Sequence, residues 1–305
     1  MAGAFTHMAI VAGAIKSFPP EQKIGNILRS HRNFLTLGSV SPDIPYLAFL
    51  ALKGFAWADI MHYHQTNGIV KNAFHSLSVA SKKEKDWECQ LAWLMGFVAH
   101  LVADATIHPI VESIVGPYTD SSSRENHRLC EMTQDIMIFK EVLNLELAYA
   151  EYTDLLKASV TDSSYQKVCE FWESHVKVNF PIDESFSAED VINSYYKLLS
   201  VAEGGSELAR GFRHLGVDFI YPTYDELEKE NPQFIKQYYS EVKLPNGMKG
   251  HFREHGYEYA VKNLTTIWSK IDRALFTTDN IIEFIPNWNL DNGMDQTTGI
   301  QTFWS

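Results

Sequence analysis

Within the apolar run GFVAHLVADATIHPI, His100 and Asp104 stand four residues apart, and His108 lies one further step along the same stripe. On a helix, such neighbours share one face at about 6 Å, close enough for an imidazole and a carboxylate to grip one metal ion. His100 and His108 are separated by about 12 Å of helix, too far to share an ion whose ligands sit at about 2 Å. Two ions therefore fit the stripe better than one. A second pair with the same spacing, His127 and Glu131 in RENHRLCEMTQDI, could complete a site at His108, and Asp135 extends that face by a turn. Three such ligands leave a position open for water, whose pKa the metal lowers towards 7, as hydrolytic zinc sites require. Single His/carboxylate pairs at this spacing are also common as hydrogen-bonding pairs. The apolar surroundings favour metal, because an unpaired charge buried there costs several kcal/mol.

Other candidates are less determined by spacing. His62 and His64 in WADIMHYHQT are both possible ligands. Asp43 in SPDIP lies between prolines, where aspartate is usually a turn former or cap. His7, on an apolar first segment, reads by default as a core histidine. The cluster HFREH at 251–255 is not the HExxH arrangement, since its glutamate follows the wrong residue, and reads as a solvated helix face.

Helical periodicity dominates the elements that must carry these residues, and no alternating strand pair joined by a two-residue glycine turn is evident. The class is all-α. A first helix at 5–16 ends at Ser17-Phe18-Pro19-Pro20. A loop is expected at about 31–46, then helices at 66–82, 87–107 and 126–158, the last with Ser121-Ser122-Ser123 as its N-cap region. Further helices are expected at 165–179, 187–203, 205–215, 224–240 and 252–275. No break is long enough for a linker, so we read residues 1–305 as one helical domain, with metal-binding residues in 1–135 and groove-shaping helices in 136–305. The aromatics Trp172, Tyr195, Tyr196 and Trp268 belong to its core more readily than to a headgroup cage. The stretch Leu91–Ile107 is shorter than the roughly 20 residues of a membrane span and is interrupted by His100 and Asp104, so it reads as a buried helix.

With 26 Lys+Arg against 38 Asp+Glu, the net charge of −12 repels nucleic acid and anionic lipid unless bound cations reverse it locally. No stable nucleic-acid binding is expected. Three cysteines without CxxC spacing suggest neither a disulfide framework nor a thiolate zinc site, and fit a reducing compartment. The N-terminus lacks the basic start of a secretory signal. A cytoplasmic location is expected, with export by a route needing no conventional signal as the alternative.

Taken in order, AFTHMAIVAGAI, LGSVSPDIPYL, WADIMHYH, GFVAHLVADATIHP and NHRLCE resemble the zinc-dependent phospholipase C family over about residues 2–135, with a weaker echo in IPNWNLDNG. That family includes bacterial phosphatidylcholine-preferring enzymes and the catalytic part of glycosylphosphatidylinositol phospholipase D. Its superfamily contains fungal zinc nucleases. The resemblance implies a multi-helix bundle with a metal cluster of up to three Zn2+ ions between helices. It implies His100, Asp104, His108, His127 and Glu131 as ligands, favours His62 over His64, and matches Asp43 to the aspartate near the attacking water, as ligand or general base. His7 matches the ligand of the third zinc, which the family completes with its mature N-terminus. Ala2 would supply that group once Met1 is removed. The implied activity is phosphodiester hydrolysis by metal-assisted in-line attack, of phospholipase C type on a phospholipid headgroup, with transient contact with a membrane surface. A zinc nuclease or phosphomonoesterase on the same site, or a non-catalytic helical metal-binding module, are the alternatives.

Overall fold

The computed structural model describes residues 3–47, 54–82, 84–120, 123–149, 153–180, 187–203, 221–276 and 282–305. The apolar run becomes the central helix α7 (Lys85–Val115), about 46 Å long at 1.5 Å per residue. Asp86 and Glu88 in its first turn complement the helix dipole, and Gly116 at φ +95° ends it. Every residue from Leu91 to Val111 is buried. By length and composition α7 could cross a membrane, but its apolar stretch is wholly covered by the protein's own elements.

Around α7 pack α1 (Ala4–Ser17), α2 (Lys23–Ser30), α3 (Arg32–Val40), α6 (Thr66–Val79), α8 (Arg124–Ile138) and α10 (Tyr165–Asn179). The chain also contributes α4 (Ile44–Leu47), α5 (Gly54–Tyr63), α9 (Thr153–Val160), α11 (Ala188–Glu203), α12 (Tyr224–Glu230), α13 (Pro232–Ile235) and α14 (Tyr259–Phe276), the last against α7 and α1. This is an all-α fold. Two glycines bring α3 and α7 into backbone contact: a Cβ on Gly38 would stand 2.1 Å from Trp93 O, and one on Gly96 would stand 2.1 Å from Leu35 O. Only glycine permits that approach.

Several boundaries differ from the sequence reading. The expected loop at 31–46 is mostly helix, because Phe34, Leu35, Leu37 and Val40 are almost fully buried and their burial outweighs the Gly, Ser and Pro signals between them. Helix α7 runs on through Pro109 to Val115 instead of ending at 107. The proline removes the N–H that would bond Ala105 O. A Cβ on Gly293 would lie 2.5 Å from that same oxygen, so the C-terminal backbone comes up against the place the proline exposes. The helix expected at 126–158 is broken after a π-type turn at Phe139–Leu143 and resumes as α9. Ser123 stands at the α8 N-cap position, but its hydroxyl donates to Pro117 O and Asp120 O and caps nothing. The stretch 224–240 divides at Asn231-Pro232. The helix expected at 205–215 lies outside the described residues.

Two short antiparallel pairs were not foreseen: β1 (Val242–Lys243) with β2 (Lys249–Gly250), and β3 (Trp288–Asn289) with β4 (Met294–Asp295). Trp172, Tyr195 and Trp268 are core residues, as expected. Trp268 Nε1 also donates to Met95 O of α7 at 3.1 Å.

Candidate metal centre

Asp104, fully buried at the middle of α7, is the point on which the site converges. His100 Nε2 lies 3.1 Å from its Oδ2, while His7 Nε2 and His108 Nε2 each lie 3.2 Å from its Oδ1. The His100 and His108 contacts are the two i, i+4 steps of the sequence stripe. His7 arrives from α1, its ring stacked on that of His100 at 4.2 Å. Despite these approaches, neither Asp104 oxygen has a hydrogen-bond partner among the described residues, and neither ring nitrogen of His7 has one. Donor atoms that crowd together in a dry interior without hydrogen-bonding one another are arranged for a cation.

Asp43 follows the C-terminus of α3, and His62 is on α5. Asp43 Oδ1 is 3.1 Å from His62 Nε2 and 3.8 Å from His100 Nε2, and the two imidazole nitrogens are 3.4 Å apart. His7, His100 and Asp104 form one group able to hold a metal ion, and Asp43, His62 and His100 form another. His64, the rival of His62, is exposed and faces Phe180.

The site-facing nitrogen of each imidazole is fixed by what the other nitrogen does. His62 Nδ1 donates to Ala58 O at 2.8 Å, His100 Nδ1 to Ser39 O at 3.0 Å, and His108 Nδ1 to Leu290 O at 2.5 Å. Each leaves Nε2 as a lone-pair donor facing the site, which is how protein scaffolds orient histidine ligands. The Ser39 carbonyl reaches His100 because Gly38 and Gly96 allow the α3–α7 contact. Leu290 serves twice, since its N–H also donates to His62 O at 3.0 Å.

His127 and Glu131 project from α8 beside a loop that the sequence reading did not single out. His127 Nε2 donates to Gly116 O at 2.7 Å, leaving Nδ1 buried without a hydrogen-bond partner among the described residues. The Tyr118 hydroxyl donates to Glu131 Oε1, and its ring lies 3.7 Å from His127 and 5.0 Å from His108. Tyr118 had no detectable sequence signal, being one aromatic in a short Gly-Pro-Tyr connection. Neither metal-capable group among the described residues contains His108, His127, Glu131 or Asp135, and Asp135, read as continuing this face, bonds to Thr6. Ala2 lies outside the described residues.

Charge reinforces the geometry. Burial works against ionisation of Asp104, but the imidazoles of His108, His100 and His7 outweigh it and hold the carboxyl well below its usual range. Burial likewise opposes the Asp43 charge, and His100 and His62 overcome it. For His7, burial favours the neutral ring, yet Asp104 raises its pKa above the ordinary value. Burial pushes His108 down to about 3 and Glu131 up to about 7.

Comparison with protein families matches the zinc dependent phospholipase C model to residues 6–183, more than half of the chain. Comparisons with curated proteins and with solved structures return no match. The matched span contains His7, Asp43, His62, the α7 stripe and the His127/Glu131 pair, and stops before the hairpin that carries Leu290. The chain belongs to the zinc-dependent phospholipase C family.

Proposed function

We propose that the protein is a zinc-dependent phosphodiester hydrolase acting on a phospholipid headgroup. The observation that carries this reading is Asp104, a buried carboxylate within 3.2 Å of three imidazole nitrogens and yet accepting no hydrogen bond among the described residues. On this reading the site takes up to three ions: one on His7 and Asp104 with the amino group of Ala2 once Met1 is removed, one on Asp43, His62, His100 and Asp104, and one on His108, His127 and Glu131. When bound, zinc polarises the phosphoryl group and lowers the pKa of water towards neutrality. Asp43, with its charge secured, orients the attacking water. The buried walls exclude bulk solvent, which strengthens every charge interaction with the phosphoryl oxygens. The net charge of −12 disfavours a polyanionic nucleic acid as substrate.

Elemental analysis of purified protein, paired with turnover of a chromogenic phosphocholine ester before and after chelation, tests this. Two to three zincs per chain with chelator-sensitive turnover is the expected result. Zinc with turnover of a phosphomonoester only, or of single-stranded nucleic acid only, would replace the substrate assignment. Zinc with no turnover of any of them would favour a binding role, and absence of bound zinc would remove the reading.

A further inference from the structure

Helix α1 starts behind Gly3, which offers no side chain to cap it. The acceptor comes instead from 129 residues away. Asp135 on α8 is fully buried; its Oδ1 accepts from the Thr6 backbone N–H at 2.8 Å and from the Thr6 hydroxyl at 2.6 Å. Its Oδ2 accepts from the Tyr221 hydroxyl at 3.0 Å. The carboxylate shares the Thr6 N–H with Gly3 O, which accepts from it at 3.0 Å, and faces the positive end of the helix dipole. The fit leaves no slack, since a Cβ on Gly3 would stand 1.9 Å from Asp135 Oδ2. The residue after Thr6 is His7, whose ring has no hydrogen bond of its own to orient it among the described residues.

We propose that Asp135 is the positioning residue for the N-terminal part of the metal centre. It is not itself a ligand. By fixing where α1 begins against α8, it sets the height at which His7 meets Asp104, and it imposes glycine at position 3. Each other candidate histidine is oriented through its own ring by a backbone carbonyl, whereas His7 is oriented through the helix that carries it. The inference rests on the zinc reading proposed above.

The test titrates metal-free protein with zinc against a competing chelator and records the melting temperature of the metal-free form. Asp272→Ala is the control: Asp272 caps α2 in the same manner, accepting from Ile24 N–H at 2.8 Å, and α2 contains no candidate ligand. Asp135→Ala and Gly3→Ala are expected to weaken one zinc equivalent by about 10- to 100-fold, the range for loss of an outer-shell partner, and to leave the others unchanged. Asp135→Asn, whose amide oxygen still accepts from Thr6, should return to within a few-fold of wild type. Asp272→Ala should lower the melting temperature without altering any zinc step. If Asp135→Ala lowers only the melting temperature, with every zinc step intact, Asp135 is a structural cap and the proposal is overturned. Should Asp135→Ala not fold, Gly3→Ala against Asp135→Asn decides by the same criterion. Wild-type protein that takes up no zinc would overturn the metal reading and this inference with it, whereas zinc uptake that is identical in all variants overturns this inference alone.

Discussion

At the Asp104 end of the centre, side chains from α1, α5, α7 and the turn after α3 meet in a fully buried cluster, and the ring partners of His62 and His100 are carbonyls of helical residues, Ala58 and Ser39. At the α8 end, His127 and Glu131 are held by Gly116 and Tyr118, two residues of the short connection between α7 and α8. Both ends present nitrogen and carboxylate donors. They differ in what holds those donors: helix backbone, locked by tertiary packing, against a connecting loop whose own conformation must be maintained. Pre-organisation lowers the cost of gathering ligands, so the Asp104 end should fill first and release metal last, and the α8 end should be the labile position.

The largest disruption is expected from Asp104→Asn. It keeps the volume but removes the charge that three imidazoles face, so zinc affinity at that end should fall by more than about 100-fold, beyond the range typical of outer-shell changes. Zinc titration with turnover measured on the same samples checks it. Loss of the α8-end metal alone would invert the comparison. Tyr118→Phe comes next. It retains the ring against His127 and deletes the hydroxyl on Glu131, and should weaken the α8-end zinc by about 10- to 100-fold while the Asp104 end is untouched. Equal weakening at both ends would show that the loop supports the whole centre.

Acidity separates the ends more gently. Burial raises the Glu131 carboxyl to about 7, so below that pH a proton competes with the metal. At pH 6 roughly one Glu131 in ten is ionised, and zinc at the α8 end should bind about 10-fold more weakly than its limiting high-pH value. The same shift gives the sign for the metal-free protein. The folded state holds the Glu131 proton more tightly than the unfolded chain, so this group's contribution to stability is present at pH 4.5 and is lost as pH rises towards 7. At the Asp104 end, Asp104 and Asp43 are held below the usual range, and their protonation does not enter above pH 6. The proton there belongs to His7, raised by Asp104 against the effect of burial. The Tyr118 hydroxyl lowers the Glu131 pKa, so Tyr118→Phe should move the α8-end profile to higher pH. A zinc titration series from pH 6 to 8 reads both effects, and a flat profile at the α8 end would count against Glu131 as ligand.

How much of this was legible follows from where each constraint resides. The α7 stripe could be read because its two steps are local, and because a charge inside an apolar run is too costly to stand without a partner. The His127/Glu131 pair was legible because its single step is local too. Asp43 and His62 needed the family resemblance, since a turn aspartate and one of two neighbouring histidines have commonplace roles elsewhere. The groups that hold the candidate ligands were mostly illegible: Ser39, Ala58, Gly116 and Leu290 act through backbone carbonyls, which any residue supplies. Asp135 was visible as a continuation of the α8 face, but its partner Thr6 lies 129 positions away, and only the packing of α1 against α8 shows that it caps a helix. Helix boundaries failed where tertiary burial overrode local signals, at 31–46 and at Pro109.

The C-terminal hairpin joins what the other changes separate, because Leu290 donates its N–H to the backbone carbonyl of His62 and its carbonyl accepts from the His108 ring. One of its anchors is the Thr66 hydroxyl at the start of α6, which donates to Trp288 O at 3.0 Å. Thr66→Val keeps the shape and deletes that bond, at a cost of about 1 kcal/mol. The melting temperature should fall by about 2–4 °C, and zinc should weaken by less than about 10-fold, at both ends in the same proportion. The proportion matters more than the size. A hairpin that merely covers the surface would cost stability and leave both affinities alone. One that acts only on His108 would disturb the His108-bearing position and spare the cluster around Asp43. Joint weakening is the signature of a single residue holding two histidine-bearing elements, and it would place the last 24 residues, which lie beyond the segment matched to the family, inside the working centre.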